Sequence, residues 1–222
     1  MPTASRLTFT EATCAVDEPV TKFGGQPVWL AEPLLPLSRR TGQPMTFVCQ
    51  IVIPREWRED ESLRVAYVFM TGAGFDHRAM ETWNPDEGET CVIVQAAGAS
   101  RSSRGPYPDT LKMWREQDGR RTEVPCEFAV DEAPAEEAAY VRQADLDKLP
   151  ATERNAVSES WHGNKIGGSP YWIQYEELPY TDWWLLLQLE DGTYPFNLNL
   201  GTGIGYVFLN SACDNGKLLW QC

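Results

Sequence analysis

The segment Thr21-Lys-Phe-Gly-Gly-Gln-Pro-Val-Trp-Leu30 is repeated near the other end of the chain as Asn164-Lys-Ile-Gly-Gly-Ser-Pro-Tyr-Trp-Ile173. One lysine, two glycines, one proline and one tryptophan recur at the same five positions, each 143 residues later. We call residues 21–30 the first box and residues 164–173 the second box. A match of this kind that includes tryptophan indicates an internal repeat, and a repeat decides the architecture.

Further repeated segments follow each box in the same order. Segment 47–51 is matched by 185–189, segment 67–70 by 206–209, and segment 92–95 by 218–221. Each is an apolar run typical of a strand. Further strands are expected at 7–10, 45–53, 63–70 and 89–96. The sequence therefore predicts two related units that each contain antiparallel strands.

These patterns predict a β-rich α+β fold, with an internal duplication of two antiparallel-sheet repeats and a connecting helix. We place the first repeat at 1–125, an acidic helical connector at 126–160 and the second repeat at 161–222, and we expect the repeats to pack as one globular unit. The stretch from Asp131 to Leu146 is rich in helix formers and has acids near its start. We predict a helix there that Pro150 ends.

The formal net charge is −13, which argues against DNA or RNA as a partner because phosphate binding requires a basic surface. It is compatible with a basic protein partner, and also with a charge that only maintains solubility. Most of the local positive charge, including Arg101 and Arg104, lies at 98–122, which we expect to be an exposed loop and hairpin. We predict no membrane partner, because no apolar run approaches the ~18 residues that span a bilayer.

The six cysteines form no C-x-x-C pair and no Cys/His set with zinc spacing, so we predict no metal site and no cofactor. The N-terminus lacks an apolar leader, and we expect a cytoplasmic protein with reduced thiols. Gly201-Thr-Gly-Ile-Gly205 precedes a strand and does not match a dinucleotide-binding loop. No motif joins His77 or His162 to a nucleophile, and we therefore predict no catalytic residue and no enzyme.

The boxes themselves have two interpretations. In the structural one, the glycines form a tight turn, the proline fixes its exit and the tryptophan anchors the loop to the core. In the functional one, the two loops line a shared groove, in which aromatic and cationic side chains bind a protein partner. The candidate binding residues of that groove are Lys22, Trp29, His162, Lys165, Tyr171 and Trp172. For His162 a hydrogen bond that stabilises its turn is the simpler role.

The pattern Lys-x-Gly-Gly-x-Pro-x-Trp near both ends, together with segments 185–189 and 218–222, resembles the YwqG-like family, a bacterial domain of unknown function. Residues 21–51 are also similar to the programmed cell death protein 2 family, whose members are dedicated chaperones of a ribosomal protein. This chain lacks the zinc-finger cysteine cluster of those chaperones. The resemblance implies a duplicated, mostly β, cytosolic protein without established catalytic residues. Domains of the YwqG-like kind also occur beside secreted bacterial toxins, where an immunity role has been proposed.

These observations lead to the hypothesis of a non-enzymatic protein-binding module, most concretely an immunity protein that neutralises a basic bacterial toxin. One alternative is a chaperone-like escort of a ribosomal or nascent protein. Another is a small-molecule-binding protein or enzyme with its site between the repeats, near His162. The sequence leaves the oligomeric state open.

Overall fold

The computed structural model describes residues 2–72, 81–98 and 106–222. Within these residues the chain forms twelve strands, two α-helices and one 3-10 turn at Arg55–Trp57. The strands of the first part are β1 (Ala4–Glu11), β2 (Lys22–Gly24), β3 (Thr46–Val52), β4 (Arg64–Met70), β5 (Thr90–Ala96), β6 (Lys112–Gln117), β7 (Arg120–Pro125) and β8 (Glu127–Ala135). They are followed by α1 (Gln143–Leu146), α2 (Ala151–Ser160), β9 (Lys165–Ile166), β10 (Trp184–Glu190), β11 (Ile204–Leu209) and β12 (Gly216–Gln221).

Ten of these strands close into an antiparallel barrel in the order β1-β8-β2-β3-β4-β5-β12-β11-β10-β9, and β9 pairs back onto β1. The longest pairing joins β1 to β8, from Ala4 opposite Ala135 to Glu11 opposite Phe128. At the other side of the barrel, β5 meets β12 where Val92 lies opposite Gly216. A Cβ on Gly216 would lie 2.5 Å from the Val92 side chain, so the absence of a side chain permits this close approach.

Apolar side chains cover both faces of the central strands. One cluster fills the barrel and takes alternate residues of β4, such as Ala66 and Val68. The residues between them point outward, where Tyr67 belongs to a second cluster on β3, β4 and β5. A third cluster, which includes Tyr206, covers the outer faces of β10, β11 and β12. These strands are buried on two sides, which explains why segment 185–189 is nearly all apolar.

The β-rich, antiparallel architecture expected from the sequence is confirmed. The strands predicted at 45–53, 63–70 and 89–96 correspond to β3, β4 and β5 with ends that differ by one residue. The segments 206–209 and 218–221 likewise lie within β11 and β12. Short apolar runs bounded by turn residues were therefore sufficient to locate the barrel strands.

The prediction of a helix from Asp131 to Leu146 is wrong. Its first part lies in β8, and only the four residues of α1 at its end are helical. Eight residues of β8 pair with β1, and this pairing outweighs a helix propensity that is worth only a fraction of a kcal/mol per residue. Pro150 also has a different role, because it immediately precedes α2 instead of ending a helix. Its φ of −54° suits the start of a helix.

The hairpin expected in the basic region is present as β6 and β7. Asp118 and Gly119 connect the two strands, and both have positive φ, at 52° and 71°. This geometry matches the tight turns that join antiparallel strands. Arg101, Arg104 and His77, which the sequence analysis singled out, lie outside the described residues.

Candidate functional site

The first box contains a buried lysine. Lys22 lies on β2 with 1% of its side chain exposed, and its Nζ donates to Glu127 Oε1 and to the Val16 carbonyl at 2.6 and 2.7 Å. An ammonium group enclosed in protein requires such partners to remain charged. Gly24 and Gly25 follow at φ of 68° and 62°, which glycine adopts without strain. Lys22 therefore ties the first box to the start of β8.

The second box has the same arrangement. Lys165 lies on β9 with 0% of its side chain exposed, and its Nζ donates to Glu137 Oε2 and to the Ser169 carbonyl, both at 2.6 Å. Burial lowers the pKa of Lys165 to about 8, although the hydrogen bond that Lys165 donates to Glu137 opposes this change. Gly167 and Gly168 have φ of 72° and 75°. This box is tied to the chain just beyond the end of β8.

Both lysines are thus enclosed by carboxylates of the protein itself. Lys22 and Lys165 were candidates for cationic groups on a shared binding groove, but neither ammonium group reaches the surface in this structure. Their pairing partners come from β8 and from the segment that follows it, which the sequence spacing did not reveal. In this conformation the two lysines anchor the boxes to the barrel.

The two box tryptophans lie on the outer faces of the barrel. The Trp29 ring is 4.5 Å from the ring of Tyr67, measured between centroids, and the Trp172 ring is 4.8 Å from that of Tyr206. Trp29 borders one groove and Trp172 borders another. The two tryptophans pack against different apolar clusters of the barrel.

Two glutamines hold the box loops against the barrel. Gln50 Oε1 accepts a hydrogen bond from the Val28 amide, and Gln188 Oε1 accepts one from the Tyr171 amide, both at 2.8 Å. Their side-chain NH₂ groups donate to the carbonyls of two further residues that are 143 positions apart, Val20 and Gly163. No role was predicted for either glutamine from the sequence. Each glutamine fixes the loop that displays the box tryptophan.

A surface groove lies beside the second box, next to α1, α2 and the segment 174–182. It consists of two adjoining cavities of about 840 and 240 Å³, which share Gln143 and Asp147. We call this surface the acidic groove. Its main polar and aromatic residues are Arg142, Gln143, Asp147, Arg154, Glu159, Tyr171, Trp172, Tyr175, Glu176, Tyr180 and Asp182.

Two tyrosines of the acidic groove are highly exposed, Tyr175 at 60% and Tyr180 at 56%. The loop that carries them is nevertheless well held. Gln221 Nε2 donates to the Tyr175 carbonyl at 2.9 Å, and Gln221 Oε1 accepts from the Gln174 amide at 3.3 Å. The Tyr180 ring lies 5.5 Å from that of Trp183. A loop fixed in this way displays large rings at little further entropic cost on binding.

Carboxylates give this groove its negative charge. Asp147, Glu159, Glu176 and Asp182 line it together with only two basic residues, Arg142 and Arg154. Two of these acids form ion pairs, Glu159 and Glu176. Glu176 is the more enclosed, with 19% of its side chain exposed, against 73% for Glu159. Its Oε2 accepts a hydrogen bond from the Gln143 amide at 3.0 Å, while Arg142 Nη1 lies 3.9 Å from its Oε1.

His162 lies at the edge of the acidic groove, against Tyr171. The two ring centroids are 3.6 Å apart, and His162 Nδ1 is 3.1 Å from Glu190 Oε1. Glu190 also accepts a hydrogen bond from the Gly163 amide, so the carboxylate connects the imidazole to the turn that enters the second box. These contacts are those expected of a histidine that stabilises its turn. Among the described residues, no group of three or more His, Cys, Asp or Glu side chains is arranged to hold a metal ion.

The first box has a groove of different character, which we call the Trp29 groove. Its cavity of about 370 Å³ is lined by prolines and apolar residues that include Leu34 and Tyr107. Neither this lining nor the exposed tyrosines of the acidic groove were predicted from the sequence. The tyrosine and acidic residues clustered between 175 and 182 could have indicated the acidic groove.

No family model matches this chain, and no curated protein matches it either. In the described ranges, no helix has the length and apolar character needed to cross a membrane.

Proposed function

We propose that this chain is a non-enzymatic protein-binding module, an immunity protein that neutralises a basic bacterial toxin in the cytoplasm. The net charge of −13 supports a basic partner, because opposite charge accelerates encounter and disfavours wrong partners. The resemblance of the two boxes to the YwqG-like family supports the immunity role, since domains of that kind occur beside toxins.

The observation that carries the proposal is the combination of exposed rings and carboxylates in one groove. Tyr175 and Tyr180 are more than half exposed, although buried or packed positions are common for aromatic residues. Tyrosine is among the residues that dominate binding energy at protein interfaces. Asp147, Glu176 and Asp182 surround these rings with negative charge. Such a surface is suited to a partner that presents arginine and lysine.

We further propose that the scaffold arose by internal duplication, with one unit formed by β2 to β5 and the other by β9 to β12, joined through residues 126–160. The order of strands in the barrel supports this, because the two sets meet at β5 and β12 and run outward in matching order. Register supports it too, since Lys22 lies opposite Gln50 and Lys165 lies opposite Gln188. Both β3 and β10 also contain a register shift at the equivalent place.

The test is affinity capture from the native cell with the wild-type protein and two variants of equal charge. The groove variant is Glu176→Gln with Asp182→Asn, and the control is Glu116→Gln with Asp118→Asn on the β6–β7 hairpin. We expect one basic protein that is retained by the wild type and the control, is lost from the groove variant and elutes at high salt. Coexpression should suppress the toxicity of that protein.

Each part of the proposal can fail separately. A partner retained equally by the groove variant would place the binding surface elsewhere. A basic ribosomal protein without toxicity would replace the immunity role with that of a chaperone-like escort. Recovery of no protein partner under any salt condition would contradict a protein-binding function and direct attention to small molecules.

A further inference from the structure

The acidic groove already holds a cation that belongs to the protein. The Arg142 guanidinium lies 3.9 Å from Glu176 and is 58% exposed, so the contact is long and open to solvent. An exposed ion pair of this kind contributes little to stability. The Glu176 carboxylate, by contrast, is fixed in place through its hydrogen bond from the Gln143 amide. Glu176 thus presents a fixed acceptor with a loosely held guanidinium in front of it.

The groove also presents a ring suited to a cation. The Tyr175 ring is the more exposed of the two tyrosines, and its backbone is held through the carbonyl by Gln221. The neighbouring Tyr180 already has a cation near its ring, since Lys217 Nζ lies 5.1 Å from the ring centroid. The faces of tyrosine rings attract cations electrostatically, and a planar guanidinium can also stack on them.

Resting on the proposed function, we infer that the acidic groove recognises an arginine side chain of the partner. The partner's guanidinium stacks on Tyr175 and pairs with Glu176, and Arg142 leaves Glu176 to admit it. Arginine is favoured over lysine because the group that now faces Glu176 is itself a guanidinium, with the planar shape that matches a carboxylate. Arg142 is then an internal competitor of the ligand.

If Arg142 competes with the ligand, removing its guanidinium should strengthen binding of an arginine peptide. The probe is a synthetic nine-residue peptide with three arginines separated by glycine and serine, compared with a peptide that carries citrulline in place of arginine. Arg142→Gln should tighten binding of the arginine peptide about threefold more than Lys148→Gln does. Lys148 is the matched control, because it pairs with Asp145 at 2.7 Å outside the groove lining and its loss changes the net charge equally.

A second pair of variants tests the ring. Tyr175→Leu should weaken binding of the arginine peptide about two- to fivefold, whereas Tyr175→Phe should preserve it because the ring face remains. Calorimetry at one fixed salt concentration measures all dissociation constants. Equal binding of the arginine and citrulline peptides would overturn the inference, as would equal effects of Arg142→Gln and Lys148→Gln or of the two Tyr175 variants.

The arginine site and the proposed protein-binding function can be refuted separately. If the captured natural partner binds Tyr175→Leu and Arg142→Gln as it binds the wild type, the arginine site is refuted while the protein-binding function stands. If the arginine peptide behaves as expected but native capture yields no basic protein, the proposed function is refuted while the arginine site stands.

Discussion

Replacing Gly25 or Gly168 by alanine should destabilise the protein through the buried lysines. Both glycines have positive φ, at 62° and 75°, which strains any residue with a side chain. A Cβ on Gly25 would overlap the Glu127 carboxylate, and a Cβ on Gly168 would overlap that of Glu137. These are the carboxylates that neutralise the buried lysines, so each substitution displaces a counter-ion.

The expected magnitude has two parts. The left-handed backbone costs roughly 1–2 kcal/mol for alanine. The displaced carboxylate can swing outward, but it then leaves a buried ammonium group unpaired, and breaking a buried pair costs about 3–5 kcal/mol. Glu127 and Glu137 are 15% and 8% exposed, so water offsets a portion of that cost. We therefore expect each variant to lose about 4 kcal/mol of unfolding free energy.

Urea denaturation followed by tryptophan fluorescence measures these losses, and the chain offers a matched control. Gly192 has a similar φ of 79°, but a Cβ there would have no atom within 4 Å. Gly192→Ala should therefore lose only the backbone part of the unfolding free energy, about 1–2 kcal/mol. In a Lys22→Met background, the loss of unfolding free energy caused by Gly25→Ala should fall to the same value. The displaced Glu127 then no longer leaves a buried charge behind.

Losses of equal size for Gly25→Ala and Gly192→Ala would refute this reasoning. They would show that Glu127 is not required as a counter-ion, or that the ammonium group of Lys22 finds another acceptor without cost. A large loss that persists in the Lys22→Met background would instead assign the effect to backbone packing.

Two further predictions follow from the same geometry. Gln50→Leu and Gln188→Leu should each lose about 2–3 kcal/mol in urea denaturation, since each leaves several loop hydrogen bonds unmade, and a difference above about 1 kcal/mol would contradict their equivalence. In the native protein, iodoacetamide should label the exposed Cys14 and Cys222 quickly and Cys49 very slowly, because burial raises the pKa of the Cys49 thiol. Mass spectrometry maps the labelled sites, and fast modification of Cys49 would show that the barrel interior opens.

The sequence was informative where the chemistry is local. The glycine pairs, the prolines and the short apolar runs each restrict the backbone of a few adjacent residues, and these features located both boxes and the barrel strands. The prediction failed at Asp131 to Leu146, where local composition favours a helix. The partner that decides the outcome there is β1, more than a hundred residues earlier in the chain, and no local pattern contains that information.

The acidic groove was only partly predictable, for the same reason. Tyr175 and Asp182 are close in the sequence, but Asp147 comes from a separate segment, and only the folded chain places the three around one cavity. The burial of the two lysines likewise depends on acceptors that spacing does not reveal, since Glu127 lies 105 residues from Lys22 and Glu137 lies 28 residues before Lys165. Sequence patterns located the two boxes but could not show which of their side chains face solvent.

The two boxes share their anchors and differ in what surrounds them. In both, the lysine, the glycine pair and a strand glutamine bind mainly backbone atoms and one carboxylate, so these contacts place few demands on the neighbouring loops. The surrounding loops differ in character: the described lining of the Trp29 groove contains no charged residue, whereas four acids line the acidic groove. Under the proposed function, substitutions at the exposed Tyr175 and Tyr180 are expected to alter partner choice. If the chain binds a protein partner as proposed, we expect partner specificity to lie in the loops, while the boxes determine where those loops are held.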